Sequence, residues 1–179
     1  MNNIVLIGFM GCGKSTVGIK LSYRLRRIVE DTDKLIEKKA GKSISEIFKE
    51  DGEPCFRQME TECLEELLNS KEEKILATGG GLPIRRENHA LLKQLGCVVY
   101  LRISPECVYE RLKNDTSRPL LQCENPLEQI RTLLAKRTPV YEEAADLVVD
   151  VDGKDMEQII AEIVQKLKEH GYLQEGEKL

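Results

Sequence analysis

The sequence predicts an α/β fold built on a mainly parallel sheet. Five short apolar runs read as strands: Ile4–Ile7, Ile28–Glu30, Lys74–Thr78, Cys97–Leu101 and Asp146–Val151. Segments with a helical repeat separate them, and alternation of strand and helix closes into a parallel sheet covered by helices. The first run also ends in a loop with three glycines, Gly8, Gly11 and Gly13. Such folds bind ligands beyond the carboxyl ends of their strands, so the chemistry is expected there.

Each element has its own signal. After the loop, Val17, Leu21 and Leu25 recur every four residues, as on one helix face. The stretch Arg26-Arg27 carries no glycine or proline break, so the start of the second strand is unmarked. Ser43 and Glu46 form a capping box that opens a short helix, and Gly52 ends it. Pro54 suits the first turn of the next helix, whose apolar face is Phe56, Met59, Cys63 and Leu67. Ser104-Pro105 starts another helix. Asp155–Glu169 is amphipathic through Met156, Ile159, Ile160, Ile163 and Leu167, and the polar tail after Gly171 is expected to fray.

A chain of 179 residues suits one domain with a real core. The net charge of -4 is spread along the chain with no Lys/Arg block, which argues against a nucleic-acid partner. No apolar run approaches the length that spans a bilayer. The first strand begins too close to Met1 for a leader, so a cytoplasmic location is expected. Of the six cysteines none forms C-x-x-C, and His89 and His170 lie outside metal-ligand spacing, so buried free thiols are expected.

The loop Gly8-Phe9-Met10-Gly11-Cys12-Gly13-Lys14-Ser15 fits G-x-x-x-x-G-K-[ST]. Glycines let backbone N–H groups turn inward as an anion nest, and a helix starting at Gly13 adds its positive end. Lys14 then reaches the outer phosphates and Ser15 offers an oxygen to Mg²⁺. Cys12 sits at the same helix end, so sensitivity to thiol reagents is expected.

Asp31 and Asp33 follow the second strand on a turn leading into a helix; they are either ordinary caps or a metal-supporting and substrate-facing pair. Arg57 and Glu60 are three apart on a helix, usually an exposed ion pair, but Arg57 lies beside the core face and could offer its fork to a carboxylate. Gly79, Gly80 and Gly81 follow a strand, and three in succession require close approach to the backbone. The segment after Leu101 is a weaker candidate. Arg118 lies in a polar stretch suited to closing over phosphates. Arg137, just before Pro139 and Tyr141, reads by itself as a cation near a helix C-terminus.

Together these motifs resemble shikimate kinase, within the nucleoside-monophosphate-kinase-like group of P-loop proteins. The shared stretches run from Ile4 to about Leu167: Gly8–Thr16, Asp31–Glu37, Ser43–Phe48, Gly52–Glu60, Thr78–Gly81, Arg118–Leu121 and Arg137–Ala145. The resemblance implies a three-layer α/β/α P-loop kinase fold with a five-stranded parallel sheet. One domain would span 1–179, with a helical substrate-binding region at about 31–60 and a lid at about 112–124. It implies transfer of the ATP γ-phosphoryl group to the 3-hydroxyl of shikimate, with Mg²⁺, in a monomer. Gly11, Cys12, Gly13, Lys14, Ser15, Thr16, Arg111 and Arg118 would hold ATP, with Arg111 stacked on adenine. Ser15, and Asp31 through water, would hold Mg²⁺. Asp33 would face the reacting hydroxyl as candidate base, catalytic with Lys14 and Arg118. Arg57 and Arg137 would clamp the shikimate carboxylate, and Gly79, Gly80 and Gly81 would line the substrate with backbone donors.

Two other readings stay open at this level. One is another small-molecule kinase of the group, acting on gluconate or a nucleoside monophosphate, although no base-reading pocket is evident. The other is a non-catalytic ATP-binding module, whose mark would be loss of Lys14, Asp33 or Arg118; all three are present.

Overall fold

A computed structural model describes residues 2–115 and 123–173. The first strand, β1 (Asn3–Ile7), is buried at every position, as a strand with sheet on both sides and helices on both faces must be. Helix α1 (Lys14–Leu25) leaves the phosphate loop, burying Val17, Gly18 and Leu21. It ends at Arg26 in the left-handed conformation at φ 53°, so the unmarked break is made by a residue that adopts this geometry at a cost. Then β2 (Ile28–Asp31) passes into α2 (Thr32–Ala40) without a turn. The turn expected around Asp31 is absent because Asp31 is itself the cap: its Oδ1 accepts from the N–H groups of Asp33 (3.0 Å) and Lys34 (3.4 Å).

Helix α3 (Ile44–Glu50) opens with the expected Ser43–Glu46 capping box, and Gly52 at φ 84° donates its N–H to the Ile47 carbonyl to end it. Helix α4 (Glu53–Leu67) buries Phe56, Cys63 and Leu67 as expected, but also Leu64 and Glu60. After β3 (Lys74–Ala77), a short 3-10 turn (Leu82–Ile84) leads to α5 (Glu87–Leu95), which no sequence signal singled out. Next come β4 (Gly96–Arg102) and α6 (Pro105–Leu112), capped by Ser104. Helix α7 (Pro126–Ala144) runs through Pro139, so Arg137 lies inside a helix and is not a C-terminal cation. Strand β5 (Leu147–Asp150) and α8 (Met156–Glu169) complete the described elements. Beyond α8, Tyr172 donates its N–H to the Leu167 carbonyl and Leu173 is buried, so the first residues after Gly171 pack where fraying was expected.

The five strands form one parallel sheet in the order β2-β3-β1-β4-β5. On the register Asn3↔Gly96, a Cβ at Gly96 would stand 2.0 Å from the Asn3 carbonyl oxygen, so β4 begins with the residue that has none. Helices α1 and α8 pack together, as do α4 with α5 and α5 with α7. The five buried apolar residues of α8, among them Ile159, Ile163 and Leu167, each contribute about 1.5–3 kcal/mol on burial, enough to dock the last helix. Among the described residues, no helix is long and apolar enough to cross a membrane.

Three of the six cysteines, Cys12, Cys63 and Cys97, are buried as expected; Cys55 and Cys107 are half-buried and Cys123 is exposed.

Candidate active site

Strands β1, β2 and β3 present their carboxyl ends side by side, which brings three of the four candidate segments to one edge. A cavity of about 370 Å³ opens there, lined by Gly11, Gly13, Lys14, Ser15, Thr16, Asp31, Asp33, Thr78, Gly79, Gly80 and Arg111 among others. The segment after Leu101 is not in its lining: Arg102 turns to Asp150 (2.5 Å) and Glu142 (3.3 Å) instead. A larger cavity of about 620 Å³ lies between α2 and α4 against Leu35, Ile36, Met59, Cys63 and Leu67. It contains none of the loop residues.

The loop glycines Gly8, Gly11 and Gly13 have φ of 144°, 77° and 98°, which only glycine adopts freely. Lys14 Nζ folds back to the carbonyls of Gly8 (2.7 Å) and Phe9 (3.0 Å), so the cation is held over the nest. Ser15 Oγ donates to Asp31 Oδ2 at 3.3 Å, joining the loop to the end of β2. Arg111 Nη1 donates to the Gly11 carbonyl at 3.0 Å and walls the other side. Cys12 is 1% exposed, with its sulfur 3.6 Å from Lys14 Nζ. It packs beneath the loop, which removes the access that reagent sensitivity requires.

Asp33 and Glu60 are the unusual groups. Asp33 Oδ1 and Glu60 Oε1 are both buried without a hydrogen-bond partner among the described residues. Both point at Gly79: a Cβ there would lie 2.5 Å from Asp33 Oδ1 and 3.1 Å from Glu60 Oε1. Burial, then the neighbouring Asp31 carboxylate, raises the Asp33 pKa from 3.8 to about 6, against the pull of Lys14. Burial raises Glu60 from 4.5 to about 7, against its contact with Arg57. An unpartnered carboxylate oxygen in a cleft is costly, and perturbed acids of this kind concentrate at functional sites.

Arg57 fills its fork within its own helix: Nη1 meets Glu60 Oε2 (2.8 Å), while Nε (3.1 Å) and Nη2 (2.8 Å) share Glu53 Oε1. Its guanidinium also lies 5.4 Å from the Phe56 ring, and that of Arg137 lies 5.6 Å from the Phe9 ring. Each ring fixes a cation by its face.

The glycine run has a physical reason. What approaches it is the chain itself: Asp33 and Glu60 at Gly79, the Gly8 carbonyl at Gly80, and Arg57 Nη1 within 2.3 Å of a Cβ at Gly81. The Gly79 N–H is already given to Thr32 Oγ1 (3.1 Å), so it is not available as a donor to a ligand. Tyr141 donates its hydroxyl to the Gly80 carbonyl (2.7 Å), tying α7 to the run. Thr32 and Tyr141 are thus supports that the sequence reading passed over; Thr32 stood between two named aspartates. Arg118 lies outside the described residues, as does most of the expected lid. Gly79→Ala is expected to lower kcat about tenfold with a stability loss of about 1–2 kcal/mol, because the methyl group must push Asp33 off its position. Steady-state kinetics with a denaturant titration checks this; unaltered kcat would mean that Asp33 tolerates the shift.

A family described as shikimate kinase matches residues 10–168. The chain is 46% identical over 166 residues to a shikimate kinase of Thermodesulfovibrio yellowstonii, covering 93% of this chain and 95% of that one. It is 42% identical to one from Pelotomaculum thermopropionicum, covering 97% and 100%. A solved shikimate kinase of Acinetobacter baumannii, in complex with shikimate, superposes with a TM-score of 0.85 at 41% identity, covering 94% and 93%. A gluconokinase of Sinorhizobium meliloti shares the fold at a TM-score of 0.56 and 18% identity, covering 95% of each chain, a likeness of architecture alone.

Proposed function

This chain belongs to the shikimate kinase family, and from that premise we propose how its residues divide the reaction between them. The protein is a kinase that transfers the γ-phosphoryl group of ATP to the 3-hydroxyl of shikimate. The observation that carries the division of roles is the pairing, in one cavity, of an anion-binding loop with a buried, partly unsatisfied carboxylate.

At the loop end, Lys14, the amide groups of Gly11, Cys12 and Gly13, and Thr16 hold the phosphates of ATP. Lys14 reaches the β- and γ-phosphates after leaving the carbonyls it now contacts. Arg111 stands at the rim for the adenine ring, and Arg118 belongs to the lid. Ser15 Oγ and Asp31 Oδ2 form a pair of hard oxygen donors 3.3 Å apart, which fits Mg²⁺. Among the described residues no three acidic, histidine or cysteine side chains gather into a cage, so the ion would draw most of its ligands from phosphate and water. When bound, Mg²⁺ neutralises charge on the phosphates. Asp31 would support the ion through water from Oδ2, its Oδ1 being committed to the α2 amides.

At the substrate end, Asp33 accepts the reacting hydroxyl with its unpartnered oxygen and takes or shares its proton. Arg57 and Arg137 bind the shikimate carboxylate, supported by their fixed places on Phe56 and Phe9. Gly79, Gly80 and Gly81 line the substrate; Gly80 and Gly81 act as donors, whereas Gly79 serves by lacking a side chain. The region 31–60 would bind substrate and 112–124 close over it. Catalysis is then positioning and charge stabilisation, as phosphoryl transfer requires. The chain would act as a monomer, and the free thiols of Cys12, Cys63 and Cys97 suit a cytoplasmic setting.

The test is ADP release from Mg-ATP with shikimate beside gluconate, AMP and CMP. Turnover with shikimate alone is expected. Turnover with another acceptor would overturn the roles given to Asp33 and Arg57.

A further inference from the structure

We propose that Glu53 is a stand-in for the substrate carboxylate, occupying one edge of the Arg57 fork in the free protein and moving aside as shikimate binds. The inference rests on the reading of Arg57 as part of the carboxylate clamp.

A carboxylate binds a guanidinium best through two adjacent N–H groups. On Arg57 the Nε and Nη2 pair is spent on Glu53 Oε1, at 3.1 and 2.8 Å, and Nη1 is spent on Glu60 Oε2 at 2.8 Å. Nη1 and Nη2 each keep one further N–H, but the Nε and Nη2 edge is the one that a carboxylate already holds, and an acid that pairs along this edge or at the Nη1 contact takes the place of one of the two glutamates.

The burial of the two decides which. The Glu60 side chain is 1% exposed, its second oxygen is enclosed without a partner, and it has no route to water. The Glu53 side chain is 60% exposed and rehydrates as soon as it leaves. Glu53 is also the first residue of α4, and the preceding cap is Gly52, which offers no side chain to the first-turn amides. A released Glu53 carboxylate therefore stays in a favourable field at the helix N-terminus. Glu60 remains as the fixed partner of Arg57, and Glu53 is the exchangeable one.

The exchange replaces one carboxylate by another on the same edge, so its cost is that of an exposed i, i+4 pair, about a two- to fivefold factor in affinity. That factor falls on acidic substrates only. An uncharged analogue lacking the carboxylate does not displace Glu53 and does not carry that factor, so Glu53 tempers the affinity for acids and leaves that for neutral analogues unaltered.

The experiment is steady-state kinetics on Glu53→Gln and Glu53→Ala, with shikimate varied at saturating ATP, at low and high salt. The expected result is a KM for shikimate lowered about two- to fivefold in both variants, with kcat and the KM for ATP unaltered. The gain should shrink at high ionic strength, where exposed pairs are screened. A KM that is unaltered or raised overturns the proposal, because Glu53 would then prop Arg57 in place without competing for it. Arg57→Ala is measured alongside. If it raises KM while the Glu53 variants do not lower it, only the stand-in role fails. If neither residue moves KM, the clamp reading fails with it. Thermal unfolding of each variant separates a folding defect from a binding effect, and Glu53→Ala serves where Glu53→Gln folds poorly.

Discussion

Asp33→Asn is expected to lower kcat about 10²–10³-fold while ATP binding is retained. The size follows from what the side chain does. A positioned base contributes about 10²–10⁴-fold, and an amide cannot take a proton. The wild-type carboxylate is held ready at a cost: its Oδ1 is buried without a partner, and burial with Asp31 nearby raises its pKa to about 6. That value is high for an aspartate yet below neutrality, so the group is mostly ionised at pH 7 and has gained basicity. The sign of the pH dependence follows. Below about pH 6 Asp33 carries a proton and cannot accept another, so kcat/KM should fall on the acid side of pH 6, and this limb should be lost in the variant. Lys14 and the loop are untouched by the substitution, so the dissociation constant for ATP should stay within a few-fold. A kcat near the wild-type value would remove Asp33 as base and as orienter.

Much of this architecture was legible in the chain because its signals are local. An apolar run, a capping box at Ser43–Glu46 and a Ser104-Pro105 helix start each act within a few residues, and each stands where expected. The phosphate loop is legible for the same reason, since glycine φ angles and a following helix are local requirements. What stayed hidden depends on contacts distant in sequence. Helix α5 carries no cap signal, as Arg86 supplies no capping bond, and its place is fixed by packing on β4 and α4. Arg137 reads as a cation near a helix C-terminus, yet α7 continues past it and through Pro139 because Ile130, Leu134, Tyr141 and Ala144 on both sides are buried together. The glycine run was legible as a place of close approach but not as to what approaches. That answer needs Asp33 and Glu60, from two different helices, to meet at Gly79. Glu60 reads by its charge as one half of an exposed helix pair, although its spacing, four after Phe56 and three before Cys63, sets it on the apolar face of α4.

That inward-facing Glu60 makes Arg57 carry two duties, so Arg57→Ala is expected to show two separable losses. The first is binding. A hydrogen bond to a charged group is worth about 1.5–3 kcal/mol, so the KM for shikimate should rise roughly ten- to a hundredfold. The second is stability, because the variant leaves Glu60 buried without the Nη1 contact at 2.8 Å that now satisfies one oxygen. Removing one partner of a buried pair costs about 3–5 kcal/mol when the other stays charged. Whether it stays charged depends on pH. Glu60 has a folded pKa of about 7 against an ordinary 4.5, so its proton stabilises the folded state fully below pH 4.5 and this stabilisation is lost as pH rises through 7. Arg57 pulls that pKa down, so the variant raises it further and the loss extends to higher pH. At pH 5 the protein and its variant both hold Glu60 protonated, and their stabilities should differ by about 1–2 kcal/mol, the worth of the lost contacts. At pH 8 the gap should widen by up to about 1.4 kcal/mol, because the wild-type Glu60 has given up its proton by then while the variant's still holds it. Denaturant unfolding at the two pH values measures the difference directly. A gap independent of pH would show that Glu60 does not titrate in the folded protein, and a raised KM with no stability loss would confine Arg57 to the substrate.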